Sequence, residues 1–225
     1  MPIRLVIFDN DGVLVDSEPL SNKAMQITAC EMGARVSLEW CYNNLVGLRN
    51  ADIIAAIKRQ SGVDFDATDY ARCYEKHFKI LMEGRLKAAR GAKRALLGLK
   101  KRRLKYCAAS SAPERFTLHK FNLTGLRKYF DGASVFSGED VKHGKPAPDL
   151  FLLAARKMGV RPSECAVVED SLVGVRAGRA AGMRVIGFLG GGHVKHMPEL
   201  TPRALKKAGA DAVIASHAEL MGALG

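Results

Sequence analysis

Hydrophobic positions in this chain fall into two patterns. Short unbroken apolar runs occupy residues 4–8 (RLVIF), 104–109 (LKYCAA), 166–169 (AVVE), 184–188 (RVIGF) and 212–215 (AVIA). Each is bounded by turn-forming residues and has the length of a strand buried on both faces. Between the later runs, residues 92–99, 113–121, 148–158 and 171–181 space their apolar positions as helices do, with Pro113 and Pro148 where a first helical turn tolerates proline. Strand alternating with helix predicts an α/β fold: an open parallel sheet with helices on both faces.

Residues 17–86 break the alternation. They contain no strand pattern. Leu20, Ala24 and Ile27 follow helical spacing, as do Met25, Ala29 and Met32, and residues 51–57 and 70–82 also read as helices. A segment this long is not an ordinary strand-to-helix connection. It predicts an inserted helical domain, residues 17–86, in an α/β core made of residues 1–16 and 87–225. No internal repeat is present.

Composition narrows the class. The 225 residues suffice for a core and a small second domain. No apolar run reaches the roughly 18–20 residues that span a bilayer, and the N-terminal MPIRLVIFDND lacks a signal-peptide pattern, so a soluble, cytoplasmic protein is expected. Cys30, Cys41, Cys73, Cys107 and Cys165 are scattered and form no CxxC pair, which reads as structural thiols. The net charge is +12, and residues 17–86 hold nine basic and nine acidic residues, so the whole excess lies outside them. Much of it falls in residues 85–105, including KKRR at 100–103. A nucleic-acid patch is one reading; a solvated helix face is preferred, because no aromatic residues interleave with the charges.

The chemistry sits at the ends of the predicted strands, where open α/β sheets bind ligands. Asp9 and Asp11 follow the first strand, Ser110 and Ser111 the second, and Glu169, Asp170 and Ser171 the third; Lys145 lies in HGKPAPD before a predicted helix. Clustered carboxylates suit a hard cation such as Mg²⁺. One can attack phosphorus and a second can serve as acid and base, while a lysine and hydroxyls hold the transferring group. Singly, each residue has a plainer use: Asp9 and Asp11 as turn residues, Ser110 as a helix cap, Lys145 as an exposed turn lysine. Their co-occurrence favours a site. Gly12 is expected to need a backbone conformation closed to other residues, and Asp16 to be structural. The triple glycine at 190–192 is expected to be a flexible turn, with His193 and His196 in a solvated loop rather than on a metal.

Four motifs in order, DNDG at 9–12, the strand ending in Ser110, Lys145 in GKPAPD, and EDS at 169–171 within VEDSLVGVRAGRAAGM, resemble the haloacid dehalogenase superfamily of phosphotransferases, in the branch with a helical cap after the first strand. The resemblance covers nearly the whole chain. It implies that Asp9 is nucleophile and Mg²⁺ ligand, and that Asp11 is acid/base and gives its backbone carbonyl to the metal. It further implies that Ser110 and the Ser111 backbone bind phosphate, that Lys145 neutralises charge, and that Asp170 completes the metal shell. Glu169 would bind metal directly or through water. Dehalogenases of the family lack the second aspartate; Asp11 is present, which favours phosphate esters. The mutases resembling this chain carry a histidine near Ser21, absent here, so a phosphatase of a small phosphorylated metabolite such as a sugar phosphate is expected, with a β-phosphoglucomutase-like mutase as the alternative. Phosphonate cleavage through Lys58 and nucleic-acid binding rank lower. Arg49, in the LVGLRNADI stretch expected to face the cleft, is a candidate for gripping the substrate. The sequence carries no signal for an oligomeric state.

Overall fold

A computed structural model describes residues 2–225. The sheet has six parallel strands in the order β3-β2-β1-β4-β5-β6. They are β1 (Leu5–Phe8), β2 (Lys105–Ser110), β3 (Val135–Ser137), β4 (Cys165–Glu169), β5 (Arg184–Phe188) and β6 (Ala212–Ile214). All four residues of β1 and all five of β4 are buried, as strands covered on both faces must be. Their side chains alternate between faces. Val6, Phe8, Ala108 and Val168 pack with helices α5 (Ala92–Lys101) and α6 (Glu114–Thr124). Leu5, Ile7, Cys107, Ala109 and Val167 pack with α7 (Asp149–Lys157) and α8 (Leu172–Ala180). The order reverses at β1, which pairs with β2 on one side and β4 on the other in matching register, so the carboxyl ends of all three open on one crevice.

Between β1 and α5 come four helices and no strand: α1 (Glu18–Glu31), α2 (Leu38–Leu45), α3 (Asn50–Ser61) and α4 (Ala67–Met82). Local chemistry sets their ends. Ser37 caps α2 by accepting from the Trp40 N–H, and Asp66 caps α4 by accepting from Thr68 and Asp69. Gly62 closes α3 in the left-handed conformation. The α1 face turned inward is more polar than the periodicity suggested: Glu18, Ser21, Asn22 and Thr28 are buried beside Ala24 and Ala29. Two further helices, α9 (Pro202–Ala208) and α10 (Leu220–Ala223), complete the chain.

Several expectations need adjustment. β3 and the helices α2 and α9 carry no run long enough to announce themselves. Pro113 and Pro148 stand at the cap position just before α6 and α7 rather than inside the first turn. Among the described residues, no helix is long and apolar enough to cross a membrane.

Candidate active site

The turn after β1 is held by its own backbone: Leu14 and Val15 donate to the Asn10 carbonyl, and Gly12 donates to Val15. Gly12 has φ +76°, and a Cβ there would fall 1.8 Å from Asp170 Oδ2, so both conformation and space demand glycine. Asp16 accepts from the Gly192 N–H at 2.9 Å, tying the turn to the triple glycine. Asp9 and Asp11 thereby line one cleft, together with Ser110, Ser111 and Asp170 from the other strand ends.

Lys145, on the β3–α7 connection, is buried between two carboxylates. Its Nζ donates to Asp9 Oδ1 at 2.6 Å and to Glu169 Oε1 at 2.5 Å, and lies 5.0 Å from the Phe151 ring centre. Burial opposes its charge, but the two carboxylates overcome this and hold the ammonium above its ordinary value. Burial pushes the Asp9 carboxyl up to about 7, with Glu169 and Asp11 adding to the rise and Lys145 opposing it. The other Glu169 oxygen accepts from the Ser171 N–H at 2.8 Å and from its hydroxyl at 2.9 Å. Glu169 is therefore turned towards Lys145 and the start of α8, where the absence of a side chain at Gly174 makes room for it.

Asp170 differs. It is buried, its Oδ2 has no hydrogen-bond partner, and burial, reinforced by Glu169, Asp9 and Glu18, raises its carboxyl well above the usual range. His193 Nε2 lies 3.4 Å away. His193 is fully buried, not in a solvated loop as the sequence suggested, because the triple glycine folds against the Asp9–Asp16 turn. Burial lowers its imidazole to about 4, so it faces Asp170 uncharged. His196 is exposed and stacks on Tyr42 of α2 at 5.0 Å.

Sequence reasoning missed Lys120. This buried α6 lysine donates to Asp11 Oδ1, which also receives the Ser17 hydroxyl, while Asn10 donates to Asp11 Oδ2 at 3.0 Å. Burial pushes the Asp11 carboxyl up, but the Lys120 charge and these hydrogen bonds outweigh it and hold Asp11 below its ordinary value. The Lys120 ammonium also sits 5.2 Å from the Phe78 ring centre on α4. A signal was available: Phe116, Lys120 and Thr124 share the buried stripe of α6 at four-residue spacing, where a lysine requires a partner. Glu18 was passed over similarly; it is buried, receives Asn22 Nδ2 at 2.6 Å, and is pushed up to about 8 by burial and by Asp11.

The helices roof the cleft. Glu18, Ser21 and Met25 of α1, Asn50 and Ile53 of α3, and Tyr74 and Phe78 of α4 line it with Leu45, Gly47 and Leu48. Ser110 Oγ accepts from Ala112 N–H at 3.1 Å, and Ser111 Oγ donates to the Gly47 carbonyl at 2.9 Å, so the α2–α3 loop lies directly on the strand ends. Arg49 is not brought into the lining. It pairs with Asp52 at 3.0 Å and donates to the Lys142 carbonyl at 3.2 Å, bridging the helical layer to the loop that carries Lys145. Lys58 pairs with Asp64 and is likewise absent from the cleft.

Residues 3–182 match the family of haloacid dehalogenase-like hydrolases. The chain is 32% identical over 184 residues to a phosphorylated carbohydrates phosphatase of Thermotoga maritima, covering 82% of this chain and 84% of that one. It is 31% identical to a 6-phosphogluconate phosphatase of Escherichia coli, covering 86% of each. Among solved structures it is similar to a hydrolase of the same family from Deinococcus radiodurans with bound phosphate and sodium, with 33% identity, a TM-score of 0.73, and coverage of 99% of this chain and 95% of that one. The motif order, the sheet and these likenesses agree: the chain belongs to the haloacid dehalogenase-like hydrolases, as a phosphoric monoester hydrolase.

Proposed function

We propose that this enzyme removes phosphate from a small phosphorylated metabolite, a sugar phosphate, through an aspartyl-phosphate on Asp9 with Mg²⁺ as cofactor. One observation carries the reading: Lys145 holds Asp9 from one side while Ser110, Asp11 and Asp170 line the same cleft. An Asp9 oxygen attacks phosphorus, the bond to the leaving oxygen breaks, and Asp11 supplies that oxygen with a proton. Water then attacks the phosphoenzyme, Asp11 takes the water's proton, and inorganic phosphate leaves with the Asp9 carboxylate restored. Ser110 and the backbone at Ser111 hold the phosphoryl oxygens, and Lys145 offsets their charge. Without substrate, Lys120 keeps Asp11 ionised, ready for the base step. The acid step needs a proton on Asp11, and an incoming phosphate dianion favours its uptake by like-charge repulsion.

The donor set fits a divalent cation. Buried Asp170 Oδ2 has no hydrogen-bond partner, and its carboxyl is held well above its ordinary value by burial and neighbouring carboxylates, the condition a cation relieves. Hard oxygen donors suit Mg²⁺. Asp9, Asp170 and the Asp11 backbone carbonyl would hold it, and bound there it would supply positive charge opposite the phosphoryl oxygens. Glu169, occupied with Lys145 and Ser171, would act by fixing the lysine.

The helical layer, residues 17–86, serves as the cap that excludes water and selects the leaving group. Its lining mixes Glu18, Ser21, Asn50 and Tyr74 with Met25 and Ile53, which suits a hydroxyl-bearing carbon skeleton. Ser21 occupies this lining, and its hydroxyl cannot shuttle protons as a histidine would, which supports hydrolysis over a mutase reaction. The test is turnover of p-nitrophenyl phosphate and a sugar-phosphate panel, with Mg²⁺ and after chelation. We expect Mg²⁺-dependent phosphate release, and loss of at least about 10³-fold in Asp9→Asn with the fold retained. Folded wild type that is inactive on every ester would overturn the reading. An Asp9→Asn variant with wild-type rate would remove Asp9 as nucleophile.

A further inference from the structure

Glu31, Cys73 and His77 meet on the helical layer, and none of them lines the cleft. Glu31 is the last residue of α1; Cys73 and His77 lie four residues apart on α4 and so share one face of it. Cys73 Sγ is 2.8 Å from Glu31 Oε2, and His77 Nε2 is 2.9 Å from Glu31 Oε1. One donor atom from each residue lies within 4.8 Å of the other two. The His77 side chain is 15% exposed and that of Glu31 46%, so the group is backed by the helix pair and open to water on one side.

We propose that Glu31, Cys73 and His77 form a binding site for a transition-metal ion of the zinc class, which ties the end of α1 to α4. Sulfur, imidazole nitrogen and carboxylate oxygen are the donors Zn²⁺ takes in four-coordinate sites, and the thiolate selects against Mg²⁺ and Ca²⁺. A thiolate and a carboxylate together balance the charge of a divalent ion. Tetrahedral bonds of about 2.0–2.3 Å place donor atoms about 3.3–3.6 Å apart. The observed contacts must therefore open by less than about 1 Å, a movement the exposed Glu31 side chain can supply. Without metal, Cys73 keeps its proton and donates it to Glu31. Binding the ion displaces that proton to solvent and puts a sulfur–metal bond in its place. The fourth position falls to water on the exposed side. Because α1 lines the cleft further along, and α4 lines it with Tyr74 and Phe78, the neighbours of Cys73 and His77, the ion would stiffen the roof without touching the reacting groups.

The site is independent of the phosphatase reading, and its test does not depend on turnover. Full-length, chelator-stripped protein is titrated with Co²⁺ in saturating Mg²⁺, and the thiolate-to-cobalt charge-transfer absorption is followed. We expect one Co²⁺ per chain with that absorption, its displacement by one Zn²⁺, and a Zn²⁺-induced rise in Tm. Cys73→Ser removes both the absorption and the Tm rise. His77→Ala and Glu31→Gln keep the absorption but bind at least about tenfold more weakly. Asp9→Asn leaves the absorption unchanged. Absence of the band in wild type at tenfold excess Co²⁺ would overturn the site, as would its survival in Cys73→Ser, or unaltered affinity in both His77→Ala and Glu31→Gln. Glu31→Gln alters an exposed helix end and so keeps the comparison valid if the Cys73 variant fails to fold.

Discussion

Two buried lysines reach the Asp9–Asp11 turn from different parts of the fold, and their surroundings differ. Lys145 comes from the core loop after β3 and sits between two carboxylates, Asp9 and Glu169. Lys120 comes from the middle of α6, pairs with Asp11 alone, and has an aromatic ring of the helical layer against it. The first pairing balances charge within the core. The second links Asp11 to α4, so its geometry depends on how the helices sit over the strand ends. Nearly the same ion pair thus holds Asp9 rigidly in one case and makes Asp11 responsive to the roof in the other.

Lys145→Met breaks the comparison most severely. It leaves Asp9 and Glu169 buried with no cation between them, and loss of one partner from a buried pair costs about 3–5 kcal/mol. We expect an unfolding free energy lower by that amount in chelator, partial recovery in Mg²⁺, and kcat reduced by about 10³-fold. Wild-type stability in chelator would show that the lysine does not carry this charge balance.

Lys120→Met comes next. Only one carboxylate loses its partner, and it can escape by taking up a proton, since burial is then no longer opposed. We expect a smaller loss of stability than for Lys145→Met and a fall in kcat of between about 10- and 100-fold with KM little changed. The sign on the pH profile follows. Asp11 is held below its ordinary value in the folded enzyme, so the stability it contributes is present above about pH 4 and is lost as pH falls below that. Without Lys120 burial is unopposed and lifts the folded carboxyl above its unfolded value, so the sign reverses and Asp11 costs stability as pH rises. Because Asp11 gives the proton in the first step, the basic limb of kcat/KM moves to higher pH. An unshifted basic limb would assign Lys120 to packing alone.

This contrast also explains what was legible in the sequence. Lys145 lies in a loop whose glycine and prolines mark a special turn beside a strand end, so local pattern pointed to it. Lys120 lies inside an ordinary helix, and its partner is 109 residues away in sequence. What brings them together is the crossing of α6 over the sheet, which no short window contains; only a lysine on the stripe of Phe116 and Thr124 hinted at it. The fold class, five of the six strands and the helical insertion were readable because each rests on periodicity. β3 was not, because three residues cannot show a period. His193 was misplaced because a glycine-rich stretch reads as mobile until its packing partner is known. Here that partner is the turn carrying Asp16, which receives the Gly192 N–H.

A third basic side chain supports the same turn without charge, and it yields the smallest effect. His217, just after β6, donates from Nε2 to the Val13 carbonyl at 2.8 Å, with the Phe188 ring centre 4.5 Å away. Burial holds its imidazole below the ordinary value. The folded state therefore refuses a proton that the unfolded state accepts, and wild type loses stability as pH falls below about 6.5. His217→Gln keeps a donor for Val13 but removes that titration. The readout is the stability difference between wild type and variant, because Asp9, Glu18 and His193 titrate in nearby windows in both proteins and cancel. We expect wild type to be ahead by about 1 kcal/mol at pH 7.5. The gap then narrows by at most about 1.4 kcal/mol per pH unit on acidification towards pH 5. A gap that stays constant or widens would mean that His217 is protonated in the folded enzyme. The turn would then be held by three charges, and the distinction between charged supports for its carboxylates and a neutral support for its backbone would fail.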